Sequence, residues 1–338
     1  MKHCLMIISI FLLSGLTGSY AQGSRTVQVV FYNVENYFDI QNDTATLDDD
    51  FTPEGRLAWN SYKYHKKQKN LFKVISNTGH WDPPALVCLS EVENEKVLKD
   101  LINNTPLKNY DYGLIHYDSP DERGIDVALL YRKSVFQVSG ARNLKVWFPF
   151  DSLNRTRDIL YVKGQLADQI LHVYINHWPS RMGGVMASEK YRLSAAGTLL
   201  DHLGEVFSGD SLAKVIILGD FNDEEKDQSI RLLTDFKYNS QSVHLLQKVY
   251  PEKVKGTLKY QGIWYTFDHF LVSSGLMDDP GNICLAKNRA MVFAPDFLLT
   301  EDSRRIGYKP HRTYLGPKYT GGYSDHLPVY IELKLKTD

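Results

Sequence analysis

The sequence predicts an α/β domain built of packed β-sheets with helices on the outside. Short apolar runs of strand length alternate with longer segments whose apolar residues recur at helical spacing. No internal repeat, low-complexity tract or Pro/Gly-rich linker interrupts the series, so a single unit is expected rather than two. Hydrophobic residues make up 43% and charged residues 23% of the 338, the balance of a folded chain able to build a sizeable core.

The elements follow in order. Residues 1–21 read as an export signal: Lys2 and His3 form a polar start, residues 4–16 are nearly all apolar, and Ser19-Tyr20-Ala21 places small residues where a signal peptidase reads. Cleavage after Ala21 leaves residues 22–338 as the domain, with a periplasmic, extracellular or cell-surface location. A membrane anchor is the competing reading, but the apolar run falls short of the ~20 residues that span a bilayer. Cys4 opens the run and no Cys follows just after it, so no lipid attachment is expected, nor stable membrane insertion after cleavage.

Residues 27–32 and 85–90 read as buried strands, and 41–56 as an acidic, Thr-rich loop. Residues 60–78 form a helix with Tyr64, Leu71, Phe72 and Ile75 on one face and Lys63, Lys66, Lys67 and Lys69 on a solvated one. A short helix is expected at 93–102, then strands at 126–131, 156–166 and 170–176. The longest helix is 187–207, with Leu193, Ala196, Leu200 and Leu203 on one stripe. A strand at 215–218, a helix at 224–235 and strands at 267–272 and 328–335 close the series. Cys88, inside the apolar run at 85–89, is expected as a packed thiol; its pairing with Cys284 is left open by sequence.

Lys plus Arg number 39 and Asp plus Glu 40, a net charge of −1. That argues against a surface-wide nucleic-acid clamp. It leaves room for an enzyme that handles phosphate locally, because a bound cation can supply the positive field.

Several strands end at an acid, amide or histidine. The first ends at Asn33 and Glu35, the second at Glu91, and 170–175 at Asn176 and His177. Residues 215–219 end at Asp220 and Asn222, Phe267 leads into Asp268, and Asp325-His326 precedes the last strand. Taken singly, each is an ordinary cap or turn residue. Together they suggest convergence on a site, because unpaired polar groups in a core are costly. Asn33, Glu35, Glu91, Asp220, Asn222 and Asp325 are hard oxygen donors, which favour Mg²⁺ or Mn²⁺, with Ca²⁺ also compatible. No Cys/His pattern of a structural zinc site is present.

The segments Asn33-Val34-Glu35-Asn36, Leu89-Ser90-Glu91-Val92, Asn176-His177-Trp178-Pro179-Ser180, Gly219-Asp220-Phe221-Asn222, Asp268-His269-Phe270 and Ser324-Asp325-His326-Leu327-Pro328-Val329 resemble the ordered motifs of the endonuclease/exonuclease/phosphatase superfamily. The resemblance runs from Val27 to about Lys336. It implies a four-layer sandwich, with two mixed sheets face to face and helices outside. It also implies hydrolysis of phosphate esters with one or two divalent ions.

Carried onto this chain, the resemblance implies that Asn33, Glu35 and Glu91 hold the principal ion, with Asp325 nearby. Glu35 stands where many relatives have Asp. Asp220, as the base, and Asn222 would orient the attacking water. Asp268 would fix the tautomer of His326, which contacts the phosphate or shares in proton transfer. His177 would stabilise the transition state or protonate the leaving group, oriented by Asp126.

Arg181, on a Gly-rich loop, and Arg123 are candidates to bind substrate phosphate; the plainer alternative for each is a surface arginine, Arg181 packing on Trp178. The basic, Tyr-rich stretch 304–318 could hold a polyanion or stack on a base, or simply pack on its own aromatics. The expectation is an exported, nuclease-like phosphodiesterase acting on a phosphate ester, nucleic acid among the candidates, and working as a monomer. The alternatives are a phosphatase or phosphodiesterase on inositol phosphates or lipid head groups, and a non-catalytic binding module of the same fold.

Overall fold

The computed structural model describes residues 24–79, 82–277 and 282–336; the expected export signal, residues 1–21, lies outside them. The sheet strands are β1 (Ser24–Tyr37), β2 (Leu86–Val92), β3 (Tyr112–His116), β4 (Asp126–Arg132), β5 (Phe136–Leu144), β6 (Ile159–Leu166), β7 (Gln169–His177), β8 (Lys214–Asp220), β9 (Lys237–Tyr238), β10 (Gln241–Leu245), β11 (Gln247–Val249), β12 (Asp268–Ser273), β13 (Ile283–Leu285), β14 (Arg289–Val292) and β15 (Val329–Lys336). The main helices are α1 (Ser61–Thr78), α2 (Glu95–Asn103), α3 (Val185–Gly209) and α4 (Gln228–Asp235).

Eight strands form one mixed sheet in the order β11-β14-β15-β1-β2-β4-β3, with β13 also on β15. Seven form a second, β5-β6-β7-β8-β12-β10-β9. The two sheets face each other. Val29 and Phe31 of β1 and their register partners Leu86 and Cys88 of β2 share one face of the first sheet and join Val173, Ile175, Ile216 and Leu218 of the second in one buried cluster. The next residues along β8, Val215 and Ile217, point the opposite way and bury against Ala196, Leu199 and Leu203 of α3 and Ile230 and Leu233 of α4, as the two-residue period of a strand requires. Each fully buried aliphatic side chain contributes roughly 1.5–3 kcal/mol of transfer free energy. α1 and α2 cover the outer face of the first sheet through Leu71, Val74, Leu98 and Leu101. The architecture is the four-layer sandwich that the motifs implied.

Asn60 and Asn94 cap α1 and α2, their side chains accepting the N–H groups of Lys63 and Val97. The helix expected from residue 224 starts four residues later, after a turn in which Asp227 accepts the Glu224 N–H at 2.6 Å. The stretch 304–318 is a pair of small β-ribbon arms with buried Tyr314 rather than a plain loop. The lysine face of α1 is also not uniformly solvated. Lys66 and Lys69 are exposed, but Lys67 is 1% exposed. Cys88 is buried, and neither it nor Cys284 forms a disulfide. No helix among the described residues is long and apolar enough to cross a membrane.

Candidate active site

Topology explains why the polar strand ends meet. β1 and β2 run parallel, joined across α1, and β7 and β8 run parallel, joined across α3. Parallel neighbours end on the same edge, so Asn33, Glu91, His177 and Asp220 arrive together. β12 and β15 run the other way, so they start at that edge, bringing Asp268 and, just before β15, Asp325 and His326. His177, Asp220 and Asp268 occupy one row of the second sheet.

Local backbone strain aims these side chains. Glu35, Asn36, Glu91 and Asn222 have φ of 53°, 54°, 62° and 51°, a region that costs non-glycine residues roughly 1–2 kcal/mol each. The register of β1 shifts between Asn33 and Tyr37, and that of β2 between Ser90 and Val92, so the bulges turn Glu35 and Glu91 into the site. Gly219 has φ 152°, and a Cβ there would lie 2.2 Å from the Asn176 carbonyl oxygen, which restricts the position before Asp220 to glycine.

Asp220 is the hub. Its Oδ2 accepts from Asn33 Nδ2 at 3.0 Å and lies 3.7 Å from both His177 Nε2 and His326 Nε2. His326 Nδ1 lies 3.0 and 2.9 Å from the two Asp268 oxygens. This carboxylate fixes the imidazole with its Nε2 toward Asp220. The second histidine differs. Its Nδ1 is buried without a partner, and Nε2 also lies 4.0 Å from Glu91 Oε1. A neutral ring with its proton on Nε2 suits that setting, since Nε2–H then faces the acids.

The charge states follow from the surroundings. Burial raises Asp220 to about 6, against the pull of His326. Burial opposes charge on His326, but Asp268 and Asp220 outweigh it and hold the imidazolium well above its ordinary range. Burial, then Arg157 and Arg123, push His177 well below it. The site therefore holds a weakly basic carboxylate, a cationic histidine and a neutral one within a few ångströms.

Beside this triad lies a second acidic group. Glu35 Oε1 accepts from Arg312 Nε at 2.8 Å, and its Oε2 accepts the Thr313 N–H at 2.7 Å. Arg312 Nη2 also lies 3.0 Å from Asp325 Oδ2. Lys67 Nζ donates to the carbonyl oxygens of Glu35 and Tyr323 and to the Thr313 hydroxyl at 3.1, 2.6 and 2.7 Å. Burial, then repulsion from Asp325, raise Glu35 to about 7.

The donor chemistry fits a hard divalent ion. Glu35, Glu91, Asp220, Asp268 and Asp325 crowd one edge against fewer cations. Glu91 and Asp220 share the Asn33 Nδ2 donor at 3.1 and 3.0 Å, and each accepts one backbone N–H, from Asn36 at 2.9 Å and Asn222 at 3.0 Å. A carboxylate has about four lone-pair sites, so each keeps acceptor capacity. Asp220, Asp268 and His326 also offer ligand atoms within 4.8 Å of one another, but Asp268 spends its oxygens on His326. Glu91 and Asp220 are thus the residues best placed to hold an ion. Asn33 presents its amide nitrogen, because its Oδ1 accepts the Glu35 N–H at 3.0 Å; it spaces the acids apart. Glu35 differs in having one oxygen on the Arg312 guanidinium and the other on the Thr313 N–H, so here it anchors the Arg312 segment.

Other expected residues find different partners. Asp126 does not orient His177. It accepts from His116 Nε2 at 3.1 Å and from the Ser119 amide and hydroxyl, because β3 is its neighbour while His177 sits in the other sheet. Arg181 is directed away from a phosphate role: it donates to the Asn222 carbonyl at 2.7 Å, pairs with Asp223 and Asp227, and stacks over Phe267. It ties the loop after His177 to the loop after Asp220. Asn222 donates its side-chain amide to the Trp178 carbonyl at 3.0 Å, reinforcing that tie. Arg123 is half-exposed, its Nε 3.7 Å from Asp121, and lines a cleft of about 580 Å³ with Arg155, Pro179, Lys190 and Tyr191.

Sequence reasoning missed three basic residues, Lys67, Arg312 as an ion-pair partner, and Arg157. Buried Arg157 pairs with Asp121 at 2.8 Å and donates to the carbonyls of His177 and Trp178 at 3.2 and 2.7 Å. Nothing in the sequence around Arg155-Thr156-Arg157 marks it out.

Residues 28–335 match the Endonuclease/Exonuclease/phosphatase family. Solved structures of similar fold include an endonuclease/exonuclease/phosphatase family protein from Bacteroides thetaiotaomicron, 15% identical, with a TM-score of 0.58 over 94% of this chain and 100% of that one. A mannosyl-6-phosphatase of Bacteroides thetaiotaomicron VPI-5482 is 16% identical, with a TM-score of 0.56 over 91% and 99%. D. rerio TDP2 complexed with a single strand DNA product is 14% identical, with a TM-score of 0.55 over 91% and 98%. At these identities the likeness shows the fold alone. Comparison with curated proteins found no match.

Proposed function

Because the chain belongs to the endonuclease/exonuclease/phosphatase family, we propose that it is a divalent-metal-dependent phosphoesterase, nuclease-like in acting on phosphodiesters, and that it works after export. One observation carries the reading: Asp220 Oδ2 stands 3.7 Å from the Nε2 atoms of both His177 and His326, with Asp268 behind His326.

A divalent ion held by Glu91 and Asp220 would supply Lewis-acid polarisation of a phosphoryl oxygen. The rest is done by the chain's own groups. Asp220 takes a proton from water as the water oxygen bonds to phosphorus. The P–O bond to the leaving group breaks, and the His326 imidazolium gives that oxygen its proton. Transfer of the Asp220 proton back to His326 restores both. His177, neutral, donates a hydrogen bond to the charge that develops on phosphoryl oxygens.

With Mg²⁺ or Mn²⁺ the protein should hydrolyse bis(p-nitrophenyl) phosphate, and EDTA should abolish the activity. Asp220→Asn and His326→Ala should each reduce kcat by about 10²–10⁴, the scale of a lost acid–base group. Activity indifferent to EDTA and to both substitutions refutes the mechanism.

A second reading, hydrolysis of lipid head-group esters, has its own support. The surroundings of the 580 Å³ cleft expose Trp147, Phe150, Leu153, Met182 and Met186, and Arg155 lies over Trp147, a combination suited to an interfacial substrate. A panel of DNA, RNA, phosphoinositides and sphingomyelin separates the two. Export rests on residues 1–21 and is tested by sequencing the secreted protein, which should begin at Gln22.

A further inference from the structure

We infer that Arg312 is a built-in cation of this site: its guanidinium neutralises the Glu35–Asp325 half of the acidic cluster, so the site takes one divalent ion rather than two. The inference rests on the metal-dependent reading above and concerns ion stoichiometry.

The cluster has two halves with different bridges. Glu91 and Asp220 are bridged by a neutral amide, Asn33 Nδ2, at 3.1 and 3.0 Å. No cation stands between these two acids, although the His326 imidazolium offsets Asp220 from 3.7 Å. Glu35 and Asp325 are bridged by Arg312 Nη2, at 2.8 and 3.0 Å, with Arg312 Nε adding a second contact to Glu35 at 2.8 Å. A guanidinium donates several N–H bonds in a rigid plane and stays charged at any accessible pH. It therefore stands between the two acids as a divalent ion would, but is supplied by the chain.

Arg312 is braced in place. The neighbouring Thr313 N–H closes on Glu35 Oε2 at 2.7 Å, and the Thr313 hydroxyl accepts from buried Lys67 at 2.7 Å. The Tyr314 hydroxyl donates to the Leu57 carbonyl at 3.0 Å, and the His311 N–H donates to the Leu298 carbonyl at 2.8 Å. The arginine side chain is 40% exposed, toward a cleft of about 420 Å³ lined also by Asp50, Arg56 and Tyr314, so its removal would open the acid pair to ions from solvent. Without Arg312, Glu35 and Asp325 would be two close carboxylates of the kind that bind hard divalent ions.

The test is Mn²⁺ binding, read by calorimetry and by electron paramagnetic resonance of free Mn²⁺. The wild-type protein should bind one ion and Arg312→Gln two. The double variant Glu35→Gln/Arg312→Gln should return to one. Should Arg312→Gln prove too unstable to titrate at rest, melting serves instead: saturating Mn²⁺ should raise its Tm more than it raises that of the wild type. Two ions in an active wild type, one ion in Arg312→Gln, or equal Tm gains each overturn the inference while leaving the phosphoesterase reading intact. A wild type that binds no ion yet cleaves the ester overturns the metal-dependent reading, and the inference falls with it.

Discussion

Lys67→Met is the most exacting test of how the site is held. The Lys67 ammonium is 1% exposed and serves the Glu35 carbonyl, the Tyr323 carbonyl and the Thr313 hydroxyl. Methionine fills similar volume but donates nothing. The Thr313 hydroxyl can turn to the Tyr323 carbonyl, 3.5 Å away, which leaves the Glu35 carbonyl as the main orphan, beside a Glu35 carboxylate that has lost a nearby cation. An orphaned buried acceptor costs about 1–3 kcal/mol, and a buried charge losing a partner adds to it. Removing a desolvated ammonium returns part of this, for a net loss of about 2–4 kcal/mol. At about 2–4 °C per kcal/mol for a large domain, Tm should fall by about 4–16 °C. Lys66→Met and Lys69→Met, on the exposed face of the same helix, should each change it by under about 2 °C. The sign with pH is also set. Burial lowers Lys67 to about 8, below its unfolded value. The unfolded chain therefore binds more protons between about pH 8 and 10.5, and this group makes stability rise with pH across that window. Lys67→Met should lack that component. Differential melting across pH 7–10.5 measures both effects. A Tm within 2 °C of wild type, or an unchanged alkaline profile, refutes the reasoning.

Three further outcomes are expected. Asp268→Asn should lower kcat by about 10²–10³, because the amide can no longer hold the His326 imidazolium through both contacts, and the alkaline limb of the pH–rate profile should move to lower pH; an unmoved limb counts against the assigned charge states. Arg157→Leu should raise KM and lower kcat together, since it frees the His177 and Trp178 carbonyls and leaves buried Asp121 with only Arg123, its Nε 3.7 Å away, with a stability loss of about 3 kcal/mol in urea titration. Burial lowers His172, whose Nδ1 accepts from the Tyr161 hydroxyl at 2.7 Å, to about 4. Its contribution to stability is complete above about 6.5 and is lost as pH falls from there toward 4; His172→Gln should flatten that part of the acid melting profile.

The family membership was legible because its signals are local. Gly219-Asp220-Phe221-Asn222 and Ser324-Asp325-His326 can be read without knowing what they touch, and the strand-end rule collected Asn33, Glu91, His177, Asp220, Asp268 and His326 before any contact was known. The structure brings these six to one edge. The partner assignments failed where they depended on which strand lies beside which. Asp126 was matched to His177 but meets His116, since β3 is its neighbour. Arg181, read as a phosphate ligand, closes on Asp223 and Asp227 and braces two loops. Lys67 looks like its neighbours Lys66 and Lys69, which do point outward, and nothing in the local sequence sets it apart.

The chain by itself determined the alternation of strands and helices, the acids and histidines at strand ends, and hence the chemistry available. A two-residue period and a motif are properties of neighbouring residues, so they survive in one dimension. Tertiary structure alone decided which charges are spent within the protein and which remain for a ligand. Arg312 reaches Glu35 across 277 positions of sequence and Lys67 reaches Tyr323 across 256. A contact of that range is made by register, bulges and strap geometry, and it turns an expected metal ligand into the partner of an arginine.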